Sequence, residues 1–439
     1  MDGDSLGLRT ARMKTISDRG PTDMKAELQK PQNLTSVASL TEPDPLEILQ
    51  ELITIPSVNP CGADLTGAIY LEHGMTRWLT NFFSNLGTPF EVQEVADGRC
   101  NVVARLDVDP DAPTIMLEAH QDTVPVDGMT IAPFEPVLEG GRLYGRGACD
   151  VKGGMAAMLA AFARLATERP TGCANVIMAC TCDEEFGATG ARHLARSWNN
   201  VDPAESFLPS PPDFCIVAEP TDLNIIVAHR GVVRWKLQTL GLACHSSRPH
   251  EGVSAIYAMA EVIQALQQYA GELPERVGEH PLCGAPTLSI GRIVGGASVN
   301  IVPHECEIEI DRRTSPGERS DQVLAELETY LRGRTSVDFV MHPPWIDADS
   351  LADDQDPRWV DRLLQQIEAI SGPREKLGAW YCTDASSFAA AGAEAVVYGP
   401  GSIAQAHTAD EWIEIEQLRQ ACETYYQFCL RPIDMQSPA

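Results

Sequence analysis

The hydrophobic and polar positions of the chain follow two periodicities. Apolar runs of strand length, such as residues 114–117 (TIML) and 175–182 (NVIMACTC), are nearly continuous, which is typical of strands that are buried on both faces. Other segments, such as residues 68–86 and the alanine-rich residues 152–165, have the spacing and composition of helices. Strands that alternate with helices predict an α/β fold with a mainly parallel sheet and helices on both faces.

The pattern changes at about residue 230 and returns after Pro343 and Pro344. Between these points, strand-like and helical segments follow each other in the order βαββαβ, which is typical of a ferredoxin-like unit, at residues 232–240, 252–269, 287–294, 304–312, 320–331 and 337–341. We therefore predict a flexible N-terminal extension, a first domain in two pieces and an inserted second domain, with the limits 1–41, 42–229 with 345–433, and 230–344.

Charge and composition narrow the choice of function. The 439 residues include 62 acidic and 33 basic ones, for a net charge of −29, which opposes binding to nucleic acid or to an anionic membrane. No run approaches the roughly 20 apolar residues of a membrane-spanning helix, and the first 40 residues lack the apolar core of a secretion signal. We therefore expect a cytoplasmic protein. Its 13 cysteines contain no C-x-x-C pair, which argues against a disulfide framework or a zinc ribbon.

Five residues of metal-ligand type follow predicted strands or lie in loops of the split domain. They are His120, Asp150, Glu185, Glu219 and His407. Each of them alone could be a solvated loop residue or a helix cap. Together, two imidazoles and three carboxylates suit zinc, with cobalt or manganese as alternatives. Two metal ions can share such a set if one carboxylate bridges them.

Two adjacent acids, Glu184 and Glu185, follow the strand at residues 175–182. Neighbouring residues of an extended segment point in opposite directions. One of the two can therefore bind a metal ion while the other faces the reacting water. We assign the general-base role to Glu184, a role that typically contributes about 10²–10⁴-fold in rate.

Several motifs together resemble one enzyme family. HQDTVP, GRGACDVKGG, CDEEFGATGA, AEPT and GPGSIAQAHTADEW are similar to the dinuclear-zinc amidohydrolases and metallopeptidases, a family that includes acetylornithine deacetylase, succinyl-diaminopimelate desuccinylase, aminoacylase and glutamate carboxypeptidase. The resemblance covers about residues 45–432. It implies a catalytic domain of the zinc-peptidase type with an inserted lid that also serves for dimerisation, and two bound divalent ions.

The resemblance also implies individual roles. Asp150 resembles the bridging carboxylate, His120 and Glu219 the ligands of one zinc ion, and His407 and Glu185 those of the other. In such proteins the peptide bond after the bridging Asp is cis.

Three other residues resemble groups that act around the metal ligands. Asp122 resembles the residue that orients the ring of His120, and Glu184 resembles the general base. His245, in GLACHSS, resembles a histidine that reaches across a dimer interface to stabilise the oxyanion. Asn300 and Arg313 resemble lid residues that hold the substrate carboxylate.

The expected function is hydrolysis of an amide bond in a small N-acyl amino acid. The run YCTDASSF, the GPGSIAQAHTADEW motif that follows it and the turn at 342–344 are most similar to acetylornithine deacetylase. A desuccinylase or a carboxypeptidase with the same machinery is the alternative. An inert binding protein that kept the fold is the alternative from another class, and it would be expected to have lost ligands or the base.

Overall fold

The structure is a computed structural model that describes residues 43–200 and 207–432. The predicted N-terminal extension, residues 1–41, lies outside the described residues. No helix within the described part of the chain combines the length and apolar character needed to cross a membrane. The cytoplasmic location stays a prediction.

The strands and helices alternate along most of the chain. In chain order the strands are β1 (Phe90–Ala96), β2 (Arg99–Leu106), β3 (Thr114–His120), β4 (Val137–Glu139), β5 (Arg142–Tyr144), β6 (Asn175–Thr181), β7 (Phe214–Val217), β8 (Ile225–His229), β9 (Gly231–Leu240), β10 (Thr287–Gly295), β11 (Glu305–Thr314), β12 (Phe339–Met341), β13 (Ile346–Ala348), β14 (Lys376–Ala379), β15 (Glu394–Val397) and β16 (Trp412–Glu414). The α-helices are α1 (Pro45–Ile53), α2 (His73–Leu86), α3 (Lys152–Glu168), α4 (Thr189–Asn200), α5 (Ala255–Val277), α6 (Ser320–Arg334), α7 (Pro357–Ser371), α8 (Ala385–Ala390) and α9 (Ile415–Leu430).

The largest sheet has eight strands in the order β1-β2-β6-β3-β7-β15-β8-β14. Its centre is parallel, because β6 pairs with β3, β3 with β7, and β7 with β15 in the same direction. Antiparallel pairs join β1 to β2 and β2 to β6, near one edge. All seven residues of β6 are buried, as expected for a central strand with helices on both faces. The predicted α/β fold with a mainly parallel sheet is confirmed.

Helices pack on both faces of this sheet. On one face α2 and α3 meet, where the rings of Phe83 and Phe162 lie edge to face with 5.8 Å between their centroids. On the other face α4 and α8 meet, with 5.9 Å between the ring centroids of Trp198 and Phe388. Helix α3 is buried almost all round, since its alanine and glycine residues allow close approach to the sheet and to its neighbours.

A second sheet has its own hydrophobic core. Strands β10, β11, β9 and β12 lie in that order and pair antiparallel, which is the arrangement of a ferredoxin-like unit. Helices α5 and α6 cover one face of it, where Trp235, Met259 and Leu327 belong to one buried cluster. Strand β13 also pairs with β9, so the second sheet includes three residues that the sequence placed in the first domain. The domain limits stay a prediction.

Candidate metal centre

The five candidate ligands come together at one edge of the large sheet. His120 is the last residue of β3, Glu185 follows β6, and Glu219 follows β7. Asp150 lies in the turn before α3, and His407 lies in the loop between β15 and β16. The carboxyl ends of parallel strands open onto a common crevice, so the parallel centre of the sheet explains why residues distant in sequence meet here.

Asp150 lies between the two histidines. Its Oδ1 is 3.2 Å from His120 Nε2, and its Oδ2 is 3.2 Å from His407 Nε2. His407 Nε2 is also 3.2 Å from Glu185 Oε2, and His120 Nε2 is 4.0 Å from Glu219 Oε1. Zn–N and Zn–O bonds are about 2.0–2.2 Å long, so ligand atoms on one ion lie roughly 3–4 Å apart. The donor set and its spacing therefore fit two divalent ions that share Asp150.

Two overlapping sets of side chains have ligand atoms within 4.8 Å of one another: His120, Asp150 and Glu185 form one, and His120, Glu184 and Glu219 the other. Glu184 thus lies beside the candidate ligands, at the distance of either a ligand or a base. Its assignment as the base stays a prediction, and so do the individual ligand assignments.

The carboxyl groups of this cluster repel one another. Burial and then the neighbouring carboxylates raise the pKa of Glu219 well above its usual range, and burial together with Asp150 raises the pKa of Glu185 to about 7. Hydrogen bonds to Asp150 and Glu185 raise the pKa of His407 to about 10. Burial alone would raise the pKa of Asp150, but the two histidines hold it below its usual range. So dense a negative charge favours bound cations.

Asp122 holds the acidic loop in place. Its Oδ1 accepts a hydrogen bond from the Glu184 backbone N–H and its Oδ2 one from that of Glu185, at 3.1 and 3.2 Å. The Nδ1 atom of His120 lies 2.9 Å from the backbone oxygen of Asp122 but 3.7 Å from its carboxylate. The predicted orienting contact to His120 is therefore made by the Asp122 main chain, whereas the carboxylate positions the two glutamates.

A buried polar network behind Asp122 was not foreseen. Asn59 Nδ2 donates to Asp122 Oδ2 at 2.7 Å and to Asp183 Oδ1 at 3.0 Å. Arg99 forms ion pairs with Glu72 and Asp183 at 2.5 and 2.6 Å. Asp183 adopts a left-handed backbone with φ of 66°, which few non-glycine residues do. Of these network residues, only Asp183 could have been noticed in the sequence, because it directly precedes the two glutamates.

Glu411 is a second residue whose role the sequence did not reveal. It is fully buried and accepts hydrogen bonds from the backbone N–H groups of Gly147, Cys149 and Asp150, each at 2.9 Å. It also pairs with Arg146 at 2.7 Å. The glycine-rich turn is thus built around this carboxylate, and the turn presents Asp150 to the histidines. Glu411 lies within the motif HTADEW, so its position was visible although its role was not.

Two backbone features also shape this turn. The Asp150–Val151 peptide bond is cis, as predicted. Gly147 has φ of +81°, and a Cβ atom there would lie 2.9 Å from Thr123 Cγ2, so a side chain is excluded. A glycine-rich sequence is required where the turn passes so close to its neighbours.

The three candidate residues between positions 230 and 344 differ in where they lie. Arg313 lines the cleft that also contains Glu184 and His407. His245 and Asn300 are exposed and lie outside the described lining of that cleft. His245 Nδ1 is 2.7 Å from the Ser247 hydroxyl. The fold of one chain therefore brings Arg313 to the candidate centre but leaves His245 and Asn300 apart from it.

Known proteins resemble the chain over most of its length. Residues 116–431 match the model of peptidase family M20/M25/M40. The chain belongs to this family. An acetylornithine deacetylase of Vibrio campbellii is 31% identical over 388 residues, which cover 85% of this chain and 94% of that protein. As a member of the family the chain is a hydrolase, and its ligand cluster is consistent with a dinuclear metal site.

Solved structures agree in fold. An M20 family metallo-carboxypeptidase of Sulfolobus solfataricus has a TM-score of 0.69 at 19% identity and covers 88% of this chain and 98% of its own. A dinuclear metal binding peptidase of the M20 family from Bacillus subtilis has a TM-score of 0.61 at 17% identity, with 88% of this chain and 96% of its own covered. At these identities the likeness supports the architecture alone.

Proposed function

We propose that the protein is an N-acyl-amino-acid deacylase that releases ornithine from N-acetylornithine. The observation that carries the proposal is the position of Asp150 between His120 and His407, with Glu184 beside them. The names of relatives at 31% and 30% identity support the choice of acyl amino acid.

Asp150 would be shared between two divalent ions, with His120 and Glu219 on one ion and His407 and Glu185 on the other. Zinc suits this set of nitrogen and carboxylate donors, and cobalt or manganese are the alternatives. Such ions, when bound, supply Lewis-acid chemistry that polarises the amide carbonyl and makes water more acidic.

Glu184 would move the protons of the reaction. Its carboxylate takes a proton from the attacking water and later gives it to the nitrogen of the leaving amine. Asp122 serves this step by fixing the backbone N–H of Glu184 at 3.1 Å. The proposed base, Glu184, and a proposed metal ligand, Glu185, are therefore adjacent residues of one loop.

Recognition of the substrate would use the second domain. Arg313, which lines the cleft, offers a planar, permanently charged fork for a carboxylate, and we assign Asn300 to the same substrate group. His245 would act from a second copy of the chain by donating a hydrogen bond to the carbonyl oxygen of the amide.

A homodimer through the second domain is therefore part of the proposal. Large apolar side chains are exposed around β9, β10 and α5, namely Leu240, Leu242, Val253, Ile256, Tyr257, Ile293, Val294, Val299 and Ile301. Large exposed apolar side chains on neighbouring elements are typical of an interaction site. Because His245 lies among these residues in sequence, burial of the surface against a second copy would also carry the histidine to a partner.

A release assay tests the function. Protein loaded separately with zinc, cobalt or manganese is incubated with N-acetylornithine, N-succinyl amino acids and short peptides, and the free amine is measured. We expect N-acetylornithine to be the best substrate. Preference for the succinyl compounds would replace the proposal with a desuccinylase, and preference for peptides would replace it with a carboxypeptidase. No hydrolysis with any metal would contradict it altogether.

A further inference from the structure

Three arginines line the described part of the cleft between the two sheets. Arg192 comes from the first turn of α4, whereas Arg234 and Arg313 come from β9 and β11 of the second sheet. The cavity has a volume of about 180 Å³, below the roughly 300–1,000 Å³ of sites for drug-sized ligands. A compact metabolite rather than a long peptide fits this space.

Two of the three arginines already have a carboxylate partner. Arg234 Nε is 2.6 Å from Asp311 Oδ2, and Arg313 Nε is 2.9 Å from Asp311 Oδ1. The aspartate lies on β11 directly across from Arg234. Each of these guanidinium groups would therefore have to share its partner, or give it up, in order to bind a substrate carboxylate.

Arg192 has no such partner among the described residues. No hydrogen bond or ion pair within the described part of the chain involves its guanidinium, and its Nη2 atom is shielded from solvent without an acceptor. Asp349 and Asp384 act on it electrostatically but do not form ion pairs with it. A buried N–H group without an acceptor is unfavourable. A rotation of the guanidinium towards an anion in the cleft would therefore satisfy a donor that has no acceptor among the described residues.

The position of Arg192 also distinguishes it from the other two. It follows Glu184 by eight residues, through one short loop into the first turn of α4. Helix α4 packs on the large sheet that carries the candidate ligands. Its distance from the reacting groups is therefore set within one domain and does not depend on how the second domain is placed. A specificity contact on a rigid element gives the more exact alignment of the amide bond.

We propose that Arg192 binds the α-carboxylate of the N-acyl amino acid and so selects carboxylate-bearing substrates. This inference rests on the proposed function and deepens it. The fork of the guanidinium can donate two parallel hydrogen bonds, one to each oxygen of a carboxylate. Arg313 then serves as a second contact from the opposite wall of the cleft.

The first test compares N-acetylornithine with N-acetylputrescine, which lacks the carboxylate. For Arg192→Gln we expect kcat/KM to fall about 10- to 100-fold on N-acetylornithine, mainly through KM, and to change less than about 2-fold on N-acetylputrescine. The kcat/KM of Arg192→Lys on N-acetylornithine should lie between those of the wild type and Arg192→Gln, because lysine keeps the charge but lacks the planar fork. The same loss on both substrates would overturn the inference, since it would indicate a structural role.

Arg196→Gln is the matched control. Arg196 lies one turn further along α4 and, with Arg192, lines a neighbouring cavity of about 660 Å³, but it is absent from the described lining of the cleft. We expect both substrates to be turned over by this variant as by the wild type. If Arg196→Gln and Arg192→Gln lost kcat/KM on N-acetylornithine selectively and to the same extent, the positive charge of α4 rather than a contact by Arg192 would explain the selectivity. That result would overturn the inference.

Equilibrium binding separates this inference from the proposed function. Calorimetry with the Glu184→Gln protein measures the affinity for N-acetylornithine without turnover, with and without Arg192→Gln. We expect a 10- to 100-fold weaker affinity in the double variant. If the wild type hydrolyses no acyl amino acid but this difference appears, the proposed function fails and the role of Arg192 stands. Absence of binding, or equal affinity in both proteins, would overturn the role of Arg192.

Discussion

The candidate functional residues near the two sheets differ in how far they are exposed to solvent. At the edge of the eight-stranded sheet, His120 and Asp150 are 2% and 6% exposed and are held by several buried contacts. Beside the second sheet, Tyr257 of α5 and Val299 of the loop between β10 and β11 are 78% and 99% exposed. The exposed His245 pairs with Ile301 of the same loop. In the first region, one chain supplies all five candidate metal ligands. We propose that the second region is covered by a second copy of the chain.

The largest expected effect tests the completeness of the first region. Glu184→Gln should lower kcat by about 10²–10⁴-fold while the bound metal, measured by elemental analysis, stays at the level of the wild type. Glu185→Gln is the matched control on the neighbouring residue and should lose metal instead. A Glu184 variant with normal turnover, or with the metal loss expected of Glu185→Gln, would show that the roles of the two glutamates are wrongly assigned.

The next prediction tests the incompleteness of the second region. His245→Ala should lower kcat by about 10²–10³-fold without loss of metal. Mixing the His245→Ala and Glu184→Gln chains should restore part of the activity, because a mixed dimer contains one site with an intact Glu184 and an intact His245. Measured rates that stay at the sum of the two variants would show that His245 acts within its own chain or not at all.

A smaller effect is expected from the shell that supports the metal site. Glu411→Gln keeps the shape of a side chain that accepts three backbone hydrogen bonds around Asp150 but removes its charge and one of its two acceptor oxygens. Loss of such supporting groups typically weakens metal affinity by about 10–100-fold. Competition with a chelator measures the change. Glu414→Gln, on the partly exposed ion pair with Arg142, is the control and should bind metal like the wild type.

The smallest effect concerns the seam between the two sheets, where β8 ends at His229 and β9 begins at Gly231. Burial lowers the pKa of His229 to about 4 from the 6.5 expected in the unfolded chain. The unfolded state therefore takes up a proton first as the pH falls, and the contribution to stability is complete above pH 6.5 and is lost between there and pH 4. We expect the free energy of unfolding to fall by about 2 kcal/mol from pH 7.5 to pH 5 through this residue.

Urea unfolding at the two pH values measures this loss. In His229→Gln the loss between pH 7.5 and pH 5 should be smaller than in the wild type by that amount. The exposed His250→Gln variant should behave like the wild type. An equal pH dependence in the His229 variant and the wild type would contradict the assignment of a buried neutral imidazole to the seam.

Sequence patterns predicted the architecture and the candidate ligands. They were less exact for the ends of elements and for short strands, for physical reasons. The continuous apolar runs at residues 114–117 and 175–182 became buried parallel strands, as expected of segments covered on both faces. The helix predicted from residue 68 begins at His73, because periodicity locates an element better than its ends. Strand β8 was not predicted, since four apolar residues and a histidine directly after a loop give no periodic signal of their own.

What the sequence by itself determined is the set of residue types at strand ends and turns, because alternation, glycine turns and acid pairs are local properties of the chain. Only the tertiary structure decided which of them meet. The contacts of Asn59, Arg99 and Glu411 join residues that are tens to hundreds of positions apart, and no local pattern encodes such a pair. Packing likewise decided that Asp311 is paired with arginines and that Arg192 has no carboxylate partner among residues 43–200 and 207–432. Whether a charge is paired depends on which surfaces the folded chain brings within hydrogen-bonding distance.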